Sequence, residues 1–138
     1  MDKEKIVAQC AALLREKITT LQDALRELSE GAANEGKSSA GDKHETARAM
    51  AQLEQEKLGK QLQETEQQLL SLEKNNGRLF DTDRGVIFVS VALGKISVEG
   101  KPVMVISVQS PLGQKLSGVE AGSSVVVNGT AYVVRSVV

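Results

Sequence analysis

The chain has 138 residues with two Phe, one Tyr and no Trp, which suits one compact domain or two small units of aliphatic, elongated build. A net charge of −1 argues against broad electrostatic binding to nucleic acid. Residues 1–75 hold 11 basic and 14 acidic side chains, and residues 76–138 hold 6 and 4, a contrast too small to name a partner.

No apolar signal core and no bilayer-length run is present, so no membrane partner is expected. The single cysteine excludes an internal disulfide. The expected compartment is the cytoplasm, and the expected state is a monomer.

Residues 2–30 read as one helix, uninterrupted by Gly or Pro and rich in Ala, Leu, Glu, Lys and Gln. Val7, Leu14, Leu21 and Leu28 recur every seven residues, with Ala11, Ile18 and Leu25 offset by four. That narrow seam has coiled-coil spacing. Three glycines, Gly31, Gly36 and Gly41, then break the pattern and permit a turn.

A second helix is expected from Asp42 or Lys43 to about Asn75, where Asn75-Asn76-Gly77 ends it. Ala51, Leu58, Thr65 and Leu72 keep the same period, joined by Gln55, Leu62 and Leu69. Folding the arms back at Ser39-Ala40 sets Val7 against Leu72, Leu14 against Thr65, Leu21 against Leu58 and Leu28 against Ala51. The mirror symmetry predicts an antiparallel coiled-coil hairpin over residues 1–76, its tip at about 31–46, rather than an intermolecular coiled coil. Thirty helical residues make an arm of roughly 45 Å. Ala51 and Gln55 in the seam predict looser packing near the tip.

From residue 77 to 138 the period changes to that of strands. Val86–Leu93 reads as a buried strand. Ile96–Val98 and Val103–Val108 flank Glu99-Gly100-Lys101 as a hairpin, and Ser124–Val127 with Thr130–Val137 flank the strong turn signal Asn128-Gly129. Between the hairpins, Ser110 caps a short helix with Pro111 at its first position. The fold class is therefore α+β: a helical hairpin, then a small, mostly antiparallel β domain with one short helix. About sixty residues is near the lower limit for an independent core, so packing on the helices' base should help.

Candidate chemistry is sparse. Cys10 reads as a small, partly buried helix residue, and its separation from His44, a solvated tip residue, excludes a Cys-His nucleophile pair. No spacing suits zinc or a phosphate-cradling loop. The chain is not expected to be an enzyme by itself.

One constellation stands at the tip. Asp42 and Glu45 lie at i,i+3 on the first turn of the second helix. They form either a capping box or part of a Mg²⁺ coordination sphere that a partner completes, and the two roles are compatible.

A hairpin with Gly41-Asp42-x-x-Glu45 at its tip and a small β domain resembles the GreA/GreB-type transcript cleavage factors. The C-terminal half strengthens the resemblance through Ser107-Val108-Gln109-Ser110-Pro111-Leu112-Gly113, Gly118 and Gly122. The resemblance covers nearly the whole chain. It implies an FKBP-like C-terminal domain that docks on RNA polymerase, with Ser110, Pro111, Leu112, Gly113 and Gly118 as partner-binding residues. It also implies a stalk that enters the polymerase's secondary channel. There Asp42 and Glu45 would assist the polymerase's own cleavage of backtracked RNA, sharing Mg²⁺ with it and meeting RNA only in its active site.

The tip departs from the family at Lys43, Thr46 and Arg48, where Leu, Asn and an acid are usual. Lys43 and Arg48 lower the negative potential there. The alternative is a channel-occupying regulator without cleavage. A prolyl isomerase, for which the half offers only Phe80, Phe88 and Tyr132, and a coiled-coil adaptor are the remaining readings.

Overall fold

A computed structural model describes residues 2–35, 42–75 and 77–138. Helix α1 spans Lys3–Glu35 and α2 spans Asp42–Asn75. Strands β1 (Arg78–Thr82), β2 (Gly85–Ser90), β3 (Gly94–Val98) and β4 (Lys101–Ser107) follow. Helix α3 (Pro111–Leu116) precedes β5 (Ser124–Val127) and β6 (Thr130–Val137). The fold is α+β, two long helices packed on each other followed by a six-stranded sheet with one short helix. Among the described residues no helix is long and apolar enough to cross a membrane.

The chain forms two compact units, one of Leu13–Leu69 and one of Met1–Ala12 with Leu70–Val138. In the first unit the heptad seam is the packing surface. Leu14, Leu21 and Thr65 are buried, and Ile18, Leu25, Leu28, Ala51, Gln55, Leu58, Leu62 and Leu69 are half-buried. Thr65 sits at an apolar seam position without a stranded hydroxyl, because its Oγ1 donates to the Gln61 carbonyl at 2.7 Å.

Helix α1 does not stop at Gly31 as expected, but continues through Ala32-Ala33 to Glu35. One helical glycine costs about 1 kcal/mol against alanine, and the alanines that follow are the best helix formers, so the break needs more than Gly31. The expected fold-back at Ser39-Ala40 lies outside the described residues.

The second unit holds the sheet, in the order β3-β4-β2-β1-β6-β5. Every pairing is antiparallel except β2 with β4, which run parallel because β3 crosses beyond β4 before the chain returns. Of the three two-residue hairpin turns, Asp83-Arg84 between β1 and β2 has no positive φ, whereas the other two have it at both positions. Glu99 and Gly100 stand at 51° and 79°, and Asn128 and Gly129 repeat those values. That is the turn whose twist matches paired strands.

Strand β1 was not evident from the pattern. It lies between β2 and β6, so Leu79 and Phe80 point to opposite faces and are both buried, and no polar alternation marks it. The strand expected at Val86–Leu93 ends at Ser90.

One face of the sheet carries Phe80, Ile87, Val89 and Val134, packed with Leu116 of α3. The other face carries Leu79, Phe88, Val103 and Val105, all buried. The ends of the long helices share this unit and bring the fully buried Ile6, Cys10 and Leu72. Ile6 and Cys10 lie one turn apart beside the seam, so α1 buries a wider stripe here than a two-helix seam requires. Lys5 Nζ reaches Glu99 Oε1 in the β3–β4 turn at 2.9 Å.

Candidate functional site

Helix α2 begins at Asp42, which places Asp42 and Glu45 three residues apart within its first turn. Residues at that spacing are neighbours on a helix surface. Glu45 is exposed, and the side chains of Asp42, Lys43 and His44 lie outside the described residues. Carboxylates near a helix start are favoured by the dipole whatever else they do. Two carboxylates supply hard oxygen donors that fit Mg²⁺, but only as part of its octahedral shell. Among the described residues no group of three or more His, Cys, Asp or Glu is placed to hold a metal ion.

Next to this first turn the helices enclose a groove of about 590 Å³. Ala24, Leu28 and Gly31 of α1 face Ala47, Ala51 and Leu58 of α2 across it. The small side chains leave the space, in line with the loose seam expected there. Met50 and Leu53 are exposed at 66% and 65%.

The second set of expected site residues converges on α3, where the local geometry gives most of them structural tasks. Ser110 is the N-cap: its Oγ accepts from the Gly113 amide at 3.0 Å and donates to the Ser107 carbonyl at 2.7 Å. Pro111 occupies the first helical position, where its missing N–H costs nothing. Leu112 is half-buried against the cluster of Phe80 and Val89.

Gly113 is buried, and an added Cβ would stand 2.2 Å from the Ser107 carbonyl oxygen, so only glycine lets the helix lie this close to β4. Gly118, with φ +76°, follows the C-cap Ser117 in the left-handed conformation that ends many helices. Of the five, only Pro111 and Gly118 are exposed.

Beside α3 lies a feature that sequence reasoning missed, a cleft of about 250 Å³. Phe80 and Val89 line it from the sheet, Gly113 from α3 and Ser117 from its C-cap, and Arg78 and Val108 complete the rim. No periodic signal marks it, since its residues come from three separate segments.

Cys10 is fully buried rather than partly so, and burial pushes its thiol up to about 11. A neutral, inaccessible thiol is the opposite of an activated nucleophile.

Fold and site together define a class: a helical hairpin whose second helix opens on two carboxylates, joined to a small β unit with a capped helix on one face. Comparison with protein-family models, curated proteins and solved structures finds no match for the chain.

Proposed function

We propose that this protein is an RNA polymerase-binding transcription factor of the GreA/GreB type. Its β unit, which fits an FKBP-like description, docks on the polymerase. The helical hairpin enters the secondary channel and stimulates cleavage of backtracked RNA. The observation that carries this reading is the start of α2 at Asp42, which puts Asp42 and Glu45 on one helical turn at the head of the second long helix.

Asp42 and Glu45 would hold a Mg²⁺ jointly with the polymerase's own groups, and when bound that ion supplies an activated water and charge neutralisation at the scissile phosphate. The chain's part is positional: the start of α2 carries the two residues on one helical turn, so that they arrive together. The protein has no cofactor of its own and acts in the cytoplasm as a monomer. On the β unit, Ser110, Gly113 and Gly118 shape α3, and exposed Pro111 with the flank of Leu112 meets the polymerase.

The test uses stalled, backtracked elongation complexes with the purified full chain. The parent shortens the RNA, while the Asp42→Asn, Glu45→Gln double variant binds polymerase equally well and leaves the RNA at its background rate of cleavage. Equal shortening by both proteins would overturn the role of the carboxylates.

A second reading keeps the docking without the chemistry, a regulator that occupies the channel. Lys43 beside Asp42, and exposed Arg48 three residues beyond Glu45, favour it by lowering the negative potential that retains Mg²⁺. Under that reading the parent changes initiation or pausing, and its RNA stays full length.

A further inference from the structure

We propose that the cleft beside α3 binds the C-terminal residue of a peptide whose last side chain is aliphatic. This goes beyond the polymerase reading and does not rest on it.

Three kinds of group meet in the cleft. Its floor is core: Phe80 is 1% exposed and Val89 5%. On the rim, Val108 is 58% exposed, an apolar side chain held in water where nothing within the described residues covers it. A space of about 250 Å³ bounded by such residues takes a side chain of the Val or Leu class, whose burial removes apolar surface from water.

The second group is a cation. Arg78 lines the cleft, is exposed, and among the described residues makes no ion pair. Its guanidinium is a planar fork suited to a carboxylate. A single monocation over an apolar floor suits a monoanion. A phosphate dianion would need further cations to offset its desolvation, and none lines this space.

The third group is a hydroxyl. Ser117 uses its backbone N–H on the Gly113 carbonyl at 3.1 Å, and its side chain has no partner among the described residues. It stands ready to accept from the amide N–H that precedes a chain end. Apolar side chain, carboxylate and amide radiate from one Cα only at the C-terminus of a peptide. An internal Asp or Glu carries its charge on the side chain that would have to enter the floor.

Helix α3 is only six residues long and lies against β4 at Gly113, close to Ser107, while the first residue of β1, Arg78, is exposed. Arg78 and Val89 are Cα partners in the β1–β2 pairing, which brings the cation beside the apolar floor.

The experiment is a ¹⁵N NMR titration of the full chain with three probes: N-acetyl-Ala-Leu as the free acid, the same peptide as its C-terminal amide, and hexanoate. The acid should shift the amides of Gly77, Gly113 and Ser117 and bind roughly tenfold more tightly than the amide at low salt. Arg78→Gln, a change at an exposed position, should erase that difference while leaving the amide's weaker binding in place. Equal binding of acid and amide, or shifts that map away from the cleft, would overturn the proposal. Hexanoate binding as tightly as the peptide acid would overturn the assignment to a peptide end.

Discussion

At the scale of single residues, Cys10 shows how burial decides chemistry. Its thiol is fully buried in the unit that holds the sheet, and the loss of water raises its pKa from 9.0 to about 11. The folded state therefore holds the proton more tightly than the unfolded chain. Stability from this source is complete below pH 9 and declines as pH rises through 11, by roughly 3 kcal/mol at most. The pKa of Lys5 is raised by its hydrogen bond and attraction to Glu99, so the stability linked to that contact is likewise lost as the pH rises. Urea melts of parent and Cys10→Ala between pH 8 and 11 should separate the two. The parent loses more stability over that range than the variant, and parallel curves would show that the thiol does not titrate this way.

Gly113 teaches the same lesson from the opposite side. The Ser-Pro-Leu-Gly segment reads as a helix start from its residue types alone, and Ser110 and Pro111 do occupy those positions. Why the fourth residue is glycine becomes clear only when the Ser107 carbonyl is seen 2.2 Å from where a Cβ would be. Residues 107 and 113 belong to different elements, and no local propensity encodes their approach.

At the scale of elements, the long helices follow propensity and period, and their glycines are not all alike. Gly31 and Gly59 both lie inside helices with open space where a Cβ would point. Neither is required by a close approach or a left-handed backbone. Gly59→Ala should stabilise the protein by about 1 kcal/mol, and Gly31→Ala by somewhat less, because the end of a helix frays. Thermal melts followed by circular dichroism at 222 nm check this directly. A fall in melting temperature for Gly59→Ala would mean that the helix bends or packs there in a way the open space does not reveal.

The strands divide along similar lines. The hairpins at Glu99-Gly100 and Asn128-Gly129 were legible because a two-residue turn with positive φ leaves a clear residue signature. Strand β1 was not legible, since a strand paired on both edges and buried on both faces loses its alternation.

At the scale of the whole molecule, the compact units do not coincide with the change from helical to strand-like sequence. Residues 1–12 and 70–76 belong with the sheet, and Ile6, Cys10 and Leu72 are fully buried within that unit. A fragment of residues 77–138 lacks all three of these buried side chains. Deleting buried aliphatic side chains of this size costs about 2–5 kcal/mol each at the level of truncation to alanine. The fragment should therefore melt well below the full chain and bind the dye ANS, whereas a fragment as stable as the parent would show that the sheet needs no helix ends.

The sequence by itself determined the two helices, their antiparallel seam, the hairpin turns at Glu99-Gly100 and Asn128-Gly129, the capped short helix and the pairing of Asp42 with Glu45 on one turn, but not the β1–β2 turn at Asp83-Arg84. Each of these is written in neighbours a few residues apart or in a fixed period. Only the tertiary structure decided that β4 runs parallel to β2, that β1 sits centrally, that Cys10 is sealed, and that Arg78 overlooks an apolar cleft. Those features depend on contacts between segments tens of residues apart, where the free energy comes from jointly burying surfaces and leaves no local mark.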